Sequence, residues 1–384
     1  MTRLRPQALT LLLVSATALP AQTVILVSGG GDALQTAAAS AAPGSIFVLD
    51  PGRYDTFGWT LPDCTIVAPQ RATWVGPLGV ATAANQLTLR GIDVVTGRRF
   101  GGYYYYPNPG VIASSGANLV LDDCSSVSLS AVDCTVAISN CRIGGDSTSV
   151  RMTNVDGVMT DTVVFPGYRY SSYGFQAALP AMSASNSRLR IERCSMSGSL
   201  VYGAYATNSQ ALIVSSNSTI TVAECDLTGG PGNPFAPLPP NFALQVDTTS
   251  DVVLWQTTLN GPTSGAFTTG QLATAAWSTP GSVLTPGANL TARFSERAAT
   301  PIAVVLSTDL APVSLPFFAE PLLVFGTPNW AVLAAGQTDA QGDFALPVQL
   351  PATPDIQYLS LWLTGLFGGT RPFRSTAPLG GVIL

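Results

Sequence analysis

Leu189-Arg-Ile-Glu-Arg-Cys194-Ser-Met196 and its echo Ile220-Thr-Val-Ala-Glu-Cys225-Asp-Leu227 decide how this chain is read. Both follow one pattern: apolar, any, apolar, any, any, Cys or another small residue, any, apolar. The pattern recurs at Trp59-Thr-Leu-Pro-Asp-Cys64-Thr-Ile66, Leu87-Thr-Leu-Arg-Gly-Ile92-Asp-Val94, Leu119-Val-Leu-Asp-Asp-Cys124 and Val136-Ala-Ile-Ser-Asn-Cys141-Arg-Ile143. Val158-Met-Thr-Asp-Thr-Val163-Val-Phe165 and Val252-Val-Leu-Trp-Gln-Thr257-Thr-Leu259 complete the set. Most copies run into a glycine, and a second short strand precedes several of them, as at Val111-Ile112, Ala181-Met182, Ile213-Val214 and Gln245-Val246. A unit this short cannot bury its apolar face alone. Stacked units share one core, with strands of successive coils pairing in parallel about 4.8 Å apart. The repeat therefore predicts an all-β chain built on a parallel β-helix solenoid spanning residues 22–262, with two strands per coil.

Five of the six cysteines, Cys64, Cys124, Cys141, Cys194 and Cys225, read into one inward column. Neighbouring coils bring Cys124 beside Cys141 and Cys194 beside Cys225, within the Cα range of a disulfide. In-register parallel strands aim their Cβ atoms alike, so thiols rather than bridges are expected.

Upstream, Asp32-Ala-Leu-Gln-Thr-Ala-Ala-Ala-Ser-Ala-Ala42 is compatible with a helix, and Pro43-Gly-Ser-Ile-Phe-Val-Leu-Asp-Pro-Gly-Arg-Tyr54 follows as strand and turn. These residues resemble the N-terminal segment of the pectate-lyase-like superfamily of right-handed β-helix proteins, where a short helix containing Leu-Gln precedes a Pro-Gly turn, an apolar strand and a Gly-x-Tyr. The resemblance covers about residues 24–262. It implies a right-handed solenoid with an N-terminal capping helix, and no particular activity.

The chain has 384 residues, no Lys and no His, with 17 basic residues, all Arg, against 22 acidic ones. A Ser-His-Asp triad, a His-bearing zinc site and a Schiff-base lysine are excluded. A net charge of −5 makes nucleic acid a poor partner. Arg3 and Arg5, the apolar run 8–18 and the small-residue sites Ala16-Thr-Ala18 or Leu19-Pro-Ala21 read as an export signal over residues 1–21. A secreted, extracellular or cell-surface protein is expected, with no membrane span once the signal is removed.

After Gly261 the repeat stops. Residues 270–384 show alternating strands at 288–294, 302–306, 344–350 and 358–363, separated by Pro and Gly, which predicts a small β-sandwich. Gln337-Thr-Asp-Ala-Gln-Gly-Asp-Phe-Ala-Leu-Pro-Val and Tyr358-Leu-Ser-Leu-Trp-Leu resemble a C-terminal module of exported planctomycete-type bacterial proteins. No role follows from that likeness.

Two features bear on function. Tyrosines crowd the long loops, and Tyr104, Tyr105, Tyr168, Arg169, Tyr170, Tyr173, Tyr202 and Tyr205 are the candidate ligand-binding residues. Their rings either stack on sugar faces, which makes a polysaccharide or cell-surface glycan the ligand, or simply pack the loops onto the solenoid wall. The fourth position of the repeat should face outward, and it reads Pro62, Arg90, Asp122, Ser139, Asp161, Glu192, Ala223 and Trp255. Asp122, Asp161 and Glu192 are the candidate catalytic residues. In that register Asp161 and Glu192 lie about 5 Å apart and Asp122 and Asp161 about 9.6 Å apart, near the two separations used by glycosidases. The same column also reads as an ordinary ladder of surface charge.

β-helix lyases resemble this chain in fold and use an Arg or Lys base with carboxylates that hold calcium or substrate. Arg142, Arg151, Arg169, Arg188 and Arg193 could supply such a base, yet no local motif ties any of them to it. Asn154-Val-Asp156 and Asp122-Asp123 only partly echo the glycosidase motifs of the fold, in the wrong order and without His. No cofactor is expected, and calcium finds no ligand motif. Two functions follow as expectations: a non-catalytic protein that engages glycan or another surface polymer through aromatic loops, or a polysaccharide lyase or glycoside hydrolase working in a groove.

Overall fold

The structure is a computed structural model. It describes residues 23–55, 63–75, 78–80, 86–95, 111–114, 116–126, 128–144, 150–165, 180–198, 209–230, 241–279, 283–308, 310, 312–313, 317–318, 323–324, 330–369 and 371–384. The first two thirds form the parallel β-helix expected from the repeat. Each full coil gives three strands, one to each of three parallel ladders, where the sequence suggested two. The eight-residue pattern is itself two strands divided by a corner.

The first ladder stacks Leu78–Val80, Val111–Ser114, the starts of Leu129–Ser139 and Val150–Thr160, then Met182–Ser185, Leu212–Ser215, Leu244–Val246 and Thr263–Ser264. The central ladder begins at Val24–Val27 and Ser45–Leu49 and continues through Asn118–Asp122, Arg188–Glu192, Thr219–Ala223 and Asp251–Trp255 to Thr268–Thr269. The third carries Ser125–Ser126, Arg142–Ile143, Val163–Val164, Ser195–Ser197, Asp226–Thr228 and Thr258–Asn260. Two short strands thus extend the solenoid past Gly261. Helix Ala33–Ala38 lies against its N-terminal end with Leu34 and Ala38 buried in the core.

Pairing fixes the register of the repeat. Leu87, Leu119, Val136, Gly157, Leu189, Ile220 and Val252 share the first, inward position. Position three also points inward. Position five then takes a left-handed backbone, with φ of 51° at Asp123, 52° at Asn140, 50° at Asp161, 51° at Arg193, 54° at Glu224 and 47° at Gln256. That turn resets the alternation, so position six faces inward again. The two consecutive free positions in the sequence pattern are this corner.

A left-handed conformation costs a non-glycine residue roughly 1–2 kcal/mol. The side chain at position six helps to close the corner by donating back to the carbonyl of position four. Cys124 Sγ donates to the Asp122 carbonyl at 3.3 Å, Cys141 Sγ to Ser139 at 3.1 Å, Cys194 Sγ to Glu192 at 3.2 Å and Cys225 Sγ to Ala223 at 3.1 Å. Thr162 and Thr257 make the same bond with Oγ1, at 2.8 and 3.1 Å. Cys and Thr alternate in this column because each is a small donor.

Two expected registers are corrected. The copy at Val158 is off by one, since Gly157 pairs with Leu189 and Thr162 stands in the donor column where Val163 was expected. Glycine hides the inward position from an apolar pattern, and Leu189 fills the space its side chain would take. Cys64 pairs with Ser45 and Leu87 and so belongs to the first position, because extra residues enter the strand Cys64–Val75 between Val67 and Ala72.

All six thiols are free and buried. Burial pushes Cys64 up to about 12 and Cys134 to about 11, and lifts Cys141 and Cys194 well above the ordinary thiol value. Alkylation needs the thiolate and access. Iodoacetamide at mildly alkaline pH is expected to label none of the six in the folded chain and all of them in denaturant, as read by intact mass. Rapid native labelling would contradict the closed interior.

The C-terminal module is a sandwich of two antiparallel sheets. One holds Thr274–Trp277, Asn289–Ser295 and Asp343–Gln349. The other holds Pro301–Ser307, Trp330–Gln337, Ser360–Phe367, Arg374–Ser375 and Leu379–Val382. Phe294, Ala292 and Val348 from the first meet Ile302, Val304, Leu363 and Phe367 from the second in a common core.

Candidate functional site

Positions two and four of the central ladder face away from the solenoid interior. Position two reads Thr88, Val120, Ala137, Val158, Arg190, Thr221 and Val253, and position four reads Arg90, Asp122, Ser139, Thr160, Glu192, Ala223 and Trp255. The C-terminal module lies on this face. Val120, Ala137 and Val158 pack with its Leu310, Trp362 and Ala377, while Ile46, Val48 and Val67 pack with Val382 beside Tyr358 and Leu384.

The candidate acids sit under that cover. Asp122 and Glu192 are both 0% exposed. Asp122 is ion-paired with Arg90, accepts from Ser139 Oγ at 2.9 Å and Asn140 Nδ2 at 3.2 Å, and takes the Val382 backbone N–H at 3.2 Å. Gly381 passes directly above; a Cβ there would meet Asp122 Oδ2 at 2.7 Å and Arg90 Nη1 at 2.9 Å. Glu192 accepts from Arg190 Nε at 2.5 Å, from Arg193 Nη1 at 3.1 Å and from the Ala377 N–H at 3.3 Å. Arg190, equally buried, donates to the carbonyls of Ser375 at 2.7 Å and Ala273 at 2.5 Å. The module thus meets the solenoid's buried charges with backbone groups.

Asp161 is elsewhere. The one-residue register correction moves it to the left-handed corner and puts Thr160 in the fourth position. Its carboxylate pairs with Arg193, Oδ1 to Nε at 2.8 Å and Oδ2 to Nη2 at 2.9 Å. Against the cost of burial, that hydrogen bond and the charges of Glu192, Asp161 and Glu224 raise the Arg193 guanidinium. Glu224, on the next rung, is raised by burial and by Glu192 and Asp161, with Arg193 opposing. The expected groove lined by Asp122, Asp161 and Glu192 is therefore not open: two of the three lie beneath the module and the third is tied up at a corner. A polymer cannot reach the buried pair in this arrangement.

Of the lyase-type arginines, Arg188 pairs with Asp156 and Arg193 with Asp161. Arg142 lies 4.5 Å from the centre of the Phe165 ring, and Arg151 is exposed on the first ladder. Tyr104, Tyr105, Tyr168, Arg169, Tyr170, Tyr173, Tyr202 and Tyr205 all lie outside the described residues. Their flanks are described. Segments 96–110, 166–179, 199–208 and 231–240 each leave the third ladder and return to the first, so all four depart from one edge. That edge is packed backbone against backbone: a Cβ on Gly198 would meet the Ser209 carbonyl at 2.3 Å, and one on Gly229 the Asn241 carbonyl at 2.0 Å. In a three-sided coil this edge is the one not shared with the central face, so it lies away from the module.

No family model matches the chain, and no curated protein matches it. Among solved structures, the enzymatically active domain of tailspike protein 2 from bacteriophage CBA120 is similar over 86% of this chain and 72% of that one, at 10% identity and a TM-score of 0.31. Spo0M, a sporulation control protein from Bacillus subtilis, is similar over 30% of this chain and 49% of its own, at 11% identity and a TM-score of 0.16. This chain thus spans about half the length of that second protein. Among the described residues no group of three or more Cys, Asp or Glu side chains is arranged to hold a metal ion, and no helix is long and apolar enough to cross a membrane.

Proposed function

We propose that this protein is an exported β-helix scaffold that engages a surface glycan or another extracellular polymer along the edge carrying its tyrosine segments. The observation that carries this reading is topological: the three tyrosine-bearing segments, 96–110, 166–179 and 199–208, each leave the third ladder and return to the first, so their flanking strands meet at one edge, coil above coil, while the module packs on the central face. An elongated ligand suits a surface whose groups repeat every coil. The outward row of the first ladder beside that edge is polar in most rungs, with Ser130, Arg151, Ser183, Ile213, Gln245 and Ser264 in register. Hydroxyl, amide and guanidinium groups offer hydrogen bonds that tyrosine rings, with their apolar faces, complement.

The test is retention on a glycan array and on insoluble polysaccharides. Tyr104→Ala, Tyr170→Ala and Tyr205→Ala should each weaken retention several-fold and together abolish it, while thermal stability stays near that of the parent. Retention unchanged in the triple variant would rule the reading out, and so would a parent chain that is retained on nothing.

A further inference from the structure

The solenoid ends in an open depression of about 470 Å³ that none of the features above uses. It is lined by Trp255 and Gln256 from the central ladder and its corner, Thr258 and Leu259 from the third ladder, and Phe267 and Thr269 from the final turn. From the C-terminal module only Gly270, its first residue, reaches the lining, and no tyrosine segment does. The depression follows from how the solenoid stops. Thr268–Thr269 is only two residues long, so the last rung covers Val253 and Leu254 but leaves Trp255 without a strand above it. Trp255 is therefore the member of the fourth-position column left partly exposed, after Asp122, Glu192 and Ala223 have been buried. Phe267 packs inward against the core from the closing turn.

We infer that this depression is a binding site for a neutral sugar ring, such as a terminal pyranose of a glycan chain. Two aromatic residues give it apolar walls on which the C–H face of a pyranose can lie. Gln256, Thr258 and Thr269 add an amide and two hydroxyls, donors and acceptors of the kind that ring hydroxyls need. No charged side chain lines the site, so a carboxylated or sulfated ring would lose hydration there without gaining a partner. The volume lies within the usual range of small-ligand pockets, yet the site is shallow and open, which suits one ring of a longer chain more than an engulfed molecule. The site stands on a different corner from the tyrosine edge, between the central and third ladders, where Gln256 takes its left-handed turn. It does not depend on the function proposed above.

The experiment is saturation-transfer NMR on the full chain with methyl glycosides of glucose, galactose, mannose, N-acetylglucosamine and glucuronate, joined to tryptophan fluorescence. The chain has six tryptophans, so the Trp255 signal is taken as the difference between the parent and Trp255→Phe. At least one neutral glycoside should show transfer and shift that difference signal, with glucuronate weaker. Trp255→Ala should weaken binding about tenfold. Gln256→Asn, which suits the left-handed corner, and the near-isosteric Thr269→Val should each weaken it about fivefold without loss of fold. Tyr170→Ala should leave it unchanged, which separates this site from the tyrosine edge. Transfer from no neutral glycoside, equal binding of glucuronate, or undiminished binding in both Trp255→Ala and Gln256→Asn would each overturn the inference.

Discussion

Glu192→Ala is expected to cost about 3–5 kcal/mol, because it leaves a buried cation without its counter-ion. Arg190 is 1% exposed and spends its other N–H groups on the Ser375 and Ala273 carbonyls of the module. With the carboxylate gone, the guanidinium keeps two neutral acceptors in place of a full negative charge. Water must enter or the module must lift. The Ala377 N–H and Arg193 each lose a partner at the same time. The comparison variant is Asp156→Ala, which removes the partner of a 41% exposed Arg188 and should cost less than about 1 kcal/mol. Urea denaturation of both variants, with limited proteolysis to detect release of the module, measures the difference. Replacing the pair by Arg190→Met with Glu192→Leu should recover only part of the loss, since the two carbonyls then lack donors at about 1–3 kcal/mol each. If Glu192→Ala matched Asp156→Ala, the buried pair would have no part in holding the module.

Ending the chain at Gly270 is expected to have a still larger effect: an aggregated or misassembled solenoid. The module covers Ile46, Val48, Val67, Val120, Ala137 and Val158, none of which is more than 8% exposed in the intact chain. Removing it bares these side chains as two apolar patches on the central ladder, Ile46, Val48 and Val67 on one side of the Thr88–Arg90 rung and Val120, Ala137 and Val158 on the other, and exposed patches of that kind drive association. It also opens the Arg90–Asp122 and Arg190–Glu192 pairs to water, so charge alone does not explain the outcome. Changing Ile46, Val48, Val120 and Val158 to threonine in the truncated chain keeps the β-branched shape and should restore a monomeric peak in size-exclusion chromatography. A truncated parent chain that ran as a stable monomer with an unchanged thermal transition would show that the module is only tethered.

These two expectations come from a face that the sequence described well and valued wrongly. The outward direction of Asp122 and Glu192 was legible, because alternation between Leu119, Leu121 and their neighbours fixes which residues leave the core. What covers that face was not. Val120, Ala137 and Val158 carry no signal separating an exposed strand residue from one covered by a domain more than a hundred residues further along the chain. Asp161 shows a different limit. Gly157 interrupts the apolar pattern, so periodicity alone sets the register one residue late and puts the corner residue Asp161 in the fourth-position column. The donor column could have corrected it, since Thr162 and Thr257 do what the cysteines do. The terminal depression has one trace in the repeat, Trp255, the aromatic residue of the fourth-position column.

By itself the sequence determined the solenoid, the inward ladders, the capping helix and the alternating strands of the second module. Those features depend on local periodicity, and each coil repeats the same short-range rules of side-chain direction and corner closure. Only the tertiary structure decided that the solenoid's central face belongs to the module, that its carboxylates are interface charges with backbone partners, and that the last rung stops short over Trp255. Each of these depends on which surfaces meet across the chain, and burial by a distant segment leaves no period to read.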